Sequence, residues 1–366
     1  MSKPAIKYQQ PESVAQAIGE HDCLVNTPWE NLGAYIPRDA TVREMLDAAG
    51  LNWKVLRAES LLRFSVPVKG GKKGEEKQVN LVNPKAFALV RSSDHTILSP
   101  FIGPRYKEIQ NDTAFEVFND FVKAGHMTME TAGSFAGGRH IWGLASIGDG
   151  FELAGGEIIK GYFLLLQSHQ YGFALKAMFT PIRYPGGHTL VQNITTKGIG
   201  GRATYTMSHA RKFTQERIKE IHEVVGIAHR ALDEFQGKAE FMAKMRVSEA
   251  DAIRYLAQVF DPQLIRTRSL DKKPLPQTIE EVLVAVDAGR SIKKVARSLS
   301  EYPGHDLPSC QGTAWGYYQA VAHAFDHTLG QHDSTRVESA WFGKNRDKKQ
   351  TAFNLAGVLA LQSGSK

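Results

Sequence analysis

The sequence predicts an α+β fold with a mainly antiparallel sheet, and three observations point to it. Strand-length apolar runs cluster between Pro84 and Tyr184, separated by glycine-bearing turns. One helical stripe interrupts them, so the order is strands, helix, strands, without the regular alternation of a doubly wound sheet. After Ser208 the texture changes to long amphipathic stretches. The chain therefore divides into an N-terminal arm with a short helix and a hairpin (1–83), an α+β core of sheet plus long helix (84–245) and a helical C-terminal region (246–366).

Each element has a local reason. Residues 1–40 carry the proline-bearing "NTPWENLGAYIP" and read as an irregular arm. Thr41 with Glu44 three residues on has capping-box spacing, which predicts a short helix over "TVREMLDAAG", stopped by Gly50. "LNWKVLRAESLLRFSVPV" alternates in strand fashion, and "KGGKKGEEKQ" is the charged tip of an exposed hairpin. "KAFALVRSSDHTILSPFIGPRYKEIQ" gives two or three strands with a turn at "SSDH". In "NDTAFEVFNDFVKAG", Phe115, Phe118 and Phe121 form a helical stripe, with Asn111 or Asp112 as the N-cap.

"TAGSFAGGRHIWGLASIG" reads as a β-hairpin. Thr131 to Phe135 rise, Gly137 and Gly138 supply a primed turn, and His140 to Ile147 return. "GYFLLLQSH" and "FALKAMFTPIRY" are further strands. From Ser208 to Met245, Phe213, Ile221, Val225, Ala228, Leu232 and Phe235 mark the stripe of the longest helix. Arg211, Lys212, Arg217 and Lys219 crowd its first half against the macrodipole, with a phosphate backbone or Glu216 and Glu220 as the alternative partners. "SEADAIRYLAQVF" opens on a Ser248–Asp251 cap, and "RTRSLDKKPLPQ" reads as a basic linker. "TIEEVLVAVDAG", "GTAWGYYQAVAHAFDHTLG" and "KKQTAFNLAGVLALQS" read as helices.

Composition narrows the function classes. Lys and Arg number 45 against 38 Asp and Glu, a net charge of +7. With a pI of 9.2, such a surplus favours a polyanionic partner. Cys23 and Cys310 lie far apart without metal-type spacing, which fits a reducing, intracellular setting. No secretory h-region is readable at the N-terminus, and runs such as "YFLLL" are too short to cross a bilayer. A cytoplasmic protein without membrane contact is expected.

Tests for catalytic chemistry return little. There is no phosphate-cradling G-x-x-x-x-G-K-[ST] loop and no G-x-S-x-G elbow. "TTKGIGGR" (Thr195 to Arg202) is a basic glycine turn that reads as a plain loop or an anion nest. His323 and His327 have the i, i+4 spacing of a metal site, near Asp326, His332 and Asp333. Ala324 stands where a zinc protease carries its glutamate, so polar-face histidines are the competing reading. Cys310 in "PSCQGTAWG" fits a buried small residue, or a thiolate at a helix start. No catalytic residue and no cofactor is assigned.

What remains is a set of basic and aromatic residues on strands and turns: Arg105, Tyr106, Arg139, His140, Trp142, His169, Lys176, Arg183 and Tyr184. Single-strand binders combine a positive groove with stacking platforms, whereas buried aromatics are the ordinary content of a sheet. The candidate nucleic-acid-binding residues are Arg105, Tyr106, Arg139, His140, Lys176, Arg183, Lys197, Arg202, Arg211 and Lys212. His323 and His327 are the metal alternative.

Five blocks, "FIGPRYKEIQNDTAFEVFNDFV", "METAGSFAGGRHIWGLASIG", "YFLLLQSH…FALKAMFTPIRY", "GTAWGYYQAVAHAFDH" and "RVESAWFGKNRDKKQTAFNLA", resemble in this order the phage/plasmid-like proteins grouped as domain of unknown function 932. They cover the chain from about Ala86 to Leu359. A departure is "RYPGGHTL", where the family reads closer to a cysteine-asparagine-threonine-leucine turn. The order of elements is also similar to single-strand annealing proteins of the RecT, Redβ and Erf type. That resemblance implies an oligomeric single-stranded DNA binder, acting in annealing or recombination without a catalytic site, in the host cytoplasm if phage-encoded. A metal-dependent nucleic-acid or nucleotide hydrolase and a host-protein-binding module are the alternatives.

Overall fold

The structure is a computed structural model describing residues 33–37, 40–70, 72–184, 186–190, 204–330 and 333–364. Apolar strands buried on both faces build its centre, a six-stranded antiparallel sheet in the order β1-β5-β6-β7-β8-β9. The strands are β1 (Gly33–Tyr35), β5 (Thr128–Phe135), β6 (His140–Leu153), β7 (Glu157–Ser168), β8 (Leu175–Tyr184) and β9 (Thr204–Met207). Register rows such as Ala145, Phe163 and Phe179 run across β6, β7 and β8. Ile141, Ala145, Phe163, Leu165 and Ala177 therefore share one face, and Trp142, Leu144, Tyr162, Leu164 and Met178 share the other.

Both faces are covered. The first meets Phe115, Val117 and Phe118 from a broken helix made of α2 (Asn111–Phe115), a 3-10 turn (Glu116–Phe118) and α3 (Asn119–Lys123). It also meets Ile218 and Ile221 of the long helix α4 (Gln215–Lys244). Gly143 lets the broken helix approach, since a Cβ there would stand 2.8 Å from the Phe115 ring. The second face meets Val337 and Trp341 of α10 (Asp333–Phe342), with the Trp142 and Trp341 rings edge to face at 5.3 Å. Trp142 is thus a core residue.

A second sheet has the order β2-β3-β4, from β2 (Val55–Pro67), β3 (Glu76–Arg91) and β4 (Ile97–Ile102). It follows α1 (Val42–Ala48), which carries the expected Thr41–Glu44 capping box, and Gly50 lies beyond its end at φ 65°. The C-terminal region packs α5 (Glu249–Phe260), α6 (Pro262–Leu270), α7 (Ile279–Val284) and α8 (Arg290–Ser298) with α9 (Ala314–His323) and α11 (Lys344–Gly364). Its core joins Phe235, Tyr255, Trp315, Tyr318 and Phe353 to Phe151, Leu153 and Ile159 at one end of the large sheet. The α9 helix continues into a π turn over Ala324–Thr328.

Several details differ from the sequence reading. The residue capping α2 is Gln110, without a side-chain cap bond; its amide is spent on the Val55 backbone. Asn111 turns inward instead, to the Leu51 carbonyl and the His169 ring. The β5–β6 connection holds four residues, because Phe135 pairs with His140. Ala136, Gly137 and Gly138 all take positive φ, so this is no two-residue primed turn. "RTRSL" completes α6, where Arg268 holds Asp287. Arg211 and Lys212 precede α4, so they do not oppose its dipole from within. Of the long stripe, Ile221 and Phe235 are buried and Phe213 and Leu232 pack alongside; the side chains of Val225 and Ala228 lie outside the description.

Candidate nucleic-acid interface

The turns β5–β6 and β7–β8 emerge at the same end of the large sheet, because His140 pairs with Ser168. They are tied together there: the His169 N–H donates to the Arg139 carbonyl at 2.7 Å. The Tyr171 N–H donates to Ser99 Oγ at 3.2 Å, which docks the second sheet's β4 against the same turn. Phe101 and Tyr171 then meet edge to face at 5.4 Å. Phe173 stands edge-on to His140 at 5.0 Å. These three aromatics keep large exposed areas, 47% for Phe101, 54% for Tyr171 and 39% for Phe173.

Cations continue the surface from Phe101. Beyond Ile102 the chain passes Arg105 and Lys107, both exposed. The Lys107 N–H donates to the His209 carbonyl at 2.6 Å and the Lys107 carbonyl meets His209 Nδ1 at 3.0 Å, so segments 103–110 and 207–213 lie side by side. Tyr106 stacks on His209 beneath them, centroids 4.5 Å apart. The Arg57 guanidinium donates to the Gly103 and Tyr106 carbonyls and covers the Phe87 ring. A cleft of about 290 Å³ opens here, lined by Arg57, Lys107, Glu108, Gln110, Lys212 and Phe213 among others.

The histidines below this surface are neutral at pH 7. Burial, helped by the charge of Arg139, pushes His140 down to about 4. Burial takes His169 to about 3 and also lowers His209. These three rings therefore add no positive charge to the arginines and lysines of this end.

Four of the expected residues, Arg105, Arg139, Arg211 and Lys212, are exposed on or beside this surface. Tyr106 and His140 are buried beneath it and support it without facing solvent. Lys176 is half-buried, the second residue of β8 opposite Leu166, and it lies close to Glu338, Asp347 and Arg346. Lys197 and Arg202, with the whole "TTKGIGGR" turn, lie outside the described residues, as does Cys23.

Arg183 does not belong to the surface. It sits at the opposite end of the sheet, 0% exposed, with Nε donating to Glu157 Oε1 at 2.5 Å. Its other nitrogens donate to the Pro303 and Gly304 carbonyls and to Cys310 Sγ at 3.3 Å. Trp315 Nε1 and Ser309 Oγ donate to the same Glu157 carboxylate. Cys310 is a buried thiol, as the small-residue reading expects, and burial plus the Glu157 charge pushes it up to about 11. A thiol so held is protonated and inert as a nucleophile.

A second buried group surrounds Thr189. Its N–H and hydroxyl both donate to Asp326 Oδ2 at 2.6 Å, and Lys349 Nζ donates to Asp326 Oδ1 at 2.7 Å. His188 Nε2 meets Gln319 Oε1 at 2.6 Å. His323 and His327 stack at 4.5 Å beside His188, partly buried, so neither occupies a solvated helix face. Among the described residues no group of three His, Cys, Asp or Glu side chains is arranged to hold a metal ion. Sequence reading missed Glu157, His188 and Lys349, and named Asp326 only as a neighbour of the metal-type histidine pair. The nearest signal was the departure at "RYPGGHTL", which carries Arg183, His188 and Thr189.

The fold defines an α+β protein whose antiparallel sheet is covered on both faces and carries an aromatic and basic edge at one end. The chain belongs to the family described as Domain of unknown function (DUF932), whose model matches residues 100–352. The match includes Arg105, Arg139, Tyr171, Phe173 and Lys212 and excludes the β2–β3 hairpin. No curated protein and no solved structure matches the chain. No described helix is long and apolar enough to cross a membrane.

Proposed function

We propose that this protein binds single-stranded nucleic acid along the edge formed by Arg139, Phe173, Tyr171, Phe101, Arg105, Lys107 and Lys212, and acts there without a catalytic centre. The observation carrying the proposal is the contiguity of three exposed aromatics with cations on both sides, tied together by the 139–169, 99–171 and 107–209 backbone contacts. Exposed rings offer stacking surfaces to unpaired bases, and guanidinium and ammonium groups hold the phosphates between them. Bases held in this way stay open to a complementary strand, so annealing follows from the same surface. The hydrolase alternative rests on His323 and His327, with which no third ligand is arranged among the described residues.

A fluorescence-anisotropy titration of labelled single-stranded and duplex oligonucleotides tests this. Preference for the single strand, weakened about tenfold or more by Tyr171→Ala, is expected, since stacking contributes ~1–3 kcal/mol per base. Equal binding by the variant, or a preference for duplex, contradicts it.

A further inference from the structure

The β2–β3 hairpin projects from the fold as a two-stranded ribbon. β4 reaches β3 only between Phe87 and Val90. Farther out, Leu61 is 61% exposed, Leu62 52%, Phe64 44%, Leu81 50% and Val82 52%. An isolated two-stranded ribbon is marginal in water, and an apolar edge strand without lysine or an internal proline is a template for another chain. β2, "VLRAESLLRFSVP", is such an edge, with its only proline at the far end, Pro67.

Two contacts fix which backbone groups of β2 face outward. At the base, the Val55 N–H donates to Gln110 Oε1 at 2.9 Å and the Val55 carbonyl accepts from Gln110 Nε2 at 3.0 Å, so Val55 points away from β3. At the tip, the Val68 N–H donates inward to the Glu75 carbonyl at 3.0 Å. Strand period two then aims the N–H and C=O of Arg57, Glu59, Leu61, Arg63 and Ser65 outward, along an edge paired with no other strand of the described residues.

We propose that β2 pairs antiparallel with β2 of a second copy of this chain, about a two-fold axis at Leu61. Charge and the open length of the edge together select this register: centred on Ala58, Arg57 would also face Glu59, but Val55, already bonded to Gln110, would have to pair with Leu61. Centred on Leu61, Glu59 faces Arg63 of the second copy in both directions, and Arg57 faces Ser65. One residue toward the base, centred on Ser60, Arg57 opposes Arg63. Centred on Glu59 or on Arg63, each of these charges opposes its own copy. Centred on Leu62, neither charge gains a partner, since Glu59 faces Ser65 and Arg63 faces Leu61. At Leu61 every outward pair exchanges two N–H···O bonds. The other face then sets Phe64 beside Ala58 and Val66 beside Leu56 of the second copy. Arg63 is held in place by Asn80 Oδ1 at 3.1 Å. A symmetric, self-complementary contact of this kind closes as a dimer. The pairing uses none of the seven residues proposed to hold nucleic acid; Arg57 is where the two meet, its backbone on the outer edge and its side chain in the cleft.

Sedimentation velocity of the full chain over a concentration series tests the pairing. The wild type is expected to dimerise. Glu59→Arg or Arg63→Glu alone is expected to raise the dimer dissociation constant roughly tenfold, and the double exchange is expected to restore it. In a Cys23→Ser background, Leu61→Cys is expected to form a disulfide-linked dimer on mild oxidation and Ser65→Cys is not. Both positions are exposed on the ribbon, so neither variant threatens the fold. A wild type that stays monomeric, a double exchange no tighter than its singles, or equal cross-linking at the two positions overturns the proposal.

Discussion

Arg183 loses its whole hydration shell in this fold, and a carboxylate, two carbonyls and a thiol replace it. Such a pair is costly to break, because removing one partner leaves a buried charge unsatisfied. Arg183→Ala or Glu157→Ala is expected to lower unfolding free energy by about 3–5 kcal/mol, read as the shift of a denaturant midpoint. Oligonucleotide binding by Arg183→Ala under native conditions is expected to stay unchanged; weakened binding without lost stability would put Arg183 back among the nucleic-acid ligands. The same physics holds Lys349, fully buried against Asp326 and Thr189. None of this was legible in the sequence, where Lys349 is one of a run of charges and Glu157 a lone carboxylate opening an apolar strand. A residue's type does not state its burial, and here burial separates Arg183 from Arg139.

The β5–β6 hairpin decides how Arg139 is presented. Gly138 sits at φ 86°, and a Cβ there would lie 2.8 Å from Nη1 of Arg91, whose Nε and Nη2 donate to Asp94 and whose guanidinium lies over the Trp53 ring. Gly138→Ala is expected to cost about 1–2 kcal/mol, seen as a lower melting temperature. Arg139→Ala is expected to leave melting unchanged while weakening single-strand binding. The opposite pattern, with Arg139→Ala unfolding early and binding normally, would reduce the hairpin to architecture. Much at this scale was readable in the residues. Alternation marked β2, apolar runs between glycine-bearing turns marked β5 to β8, and Thr41 and Ser248 cap their helices as their spacing requires. What escaped was nonlocal. The split into two sheets, the tie of Tyr171 to Ser99 and the burial of Trp142 under Trp341 depend on segments up to some two hundred residues apart in sequence. Local pattern carries no record of such pairings.

Across the whole molecule, charge is sorted by position. The sheet end with exposed aromatics is lined by Arg57, Arg105, Lys107 and Lys212, whereas the far end neutralises Arg183 and Lys349 internally. Buried histidines add a pH dependence. His140 is pushed down to about 4 and His169 and His323 to about 3, and His188 is also lowered, all chiefly by burial. Below about pH 6.5 the unfolded chain takes up protons that the native state refuses, so stability falls as pH falls through this window. His169 alone accounts for about 2 kcal/mol at pH 5. The melting temperature is therefore expected to drop between pH 7.5 and pH 5; a flat or rising value would contradict neutral burial of these rings.

The most direct measurement is the salt dependence of single-strand affinity for the wild type and for Arg105→Ala/Lys107→Ala/Lys212→Ala. Each phosphate contact on a single strand adds about 0.7 to the slope of log K against log salt. A steep slope is expected for the wild type, and weaker binding with a slope reduced by about 2 for the triple variant. A wild type that fails to bind at low salt, or a triple variant with unchanged affinity and slope, contradicts this expectation.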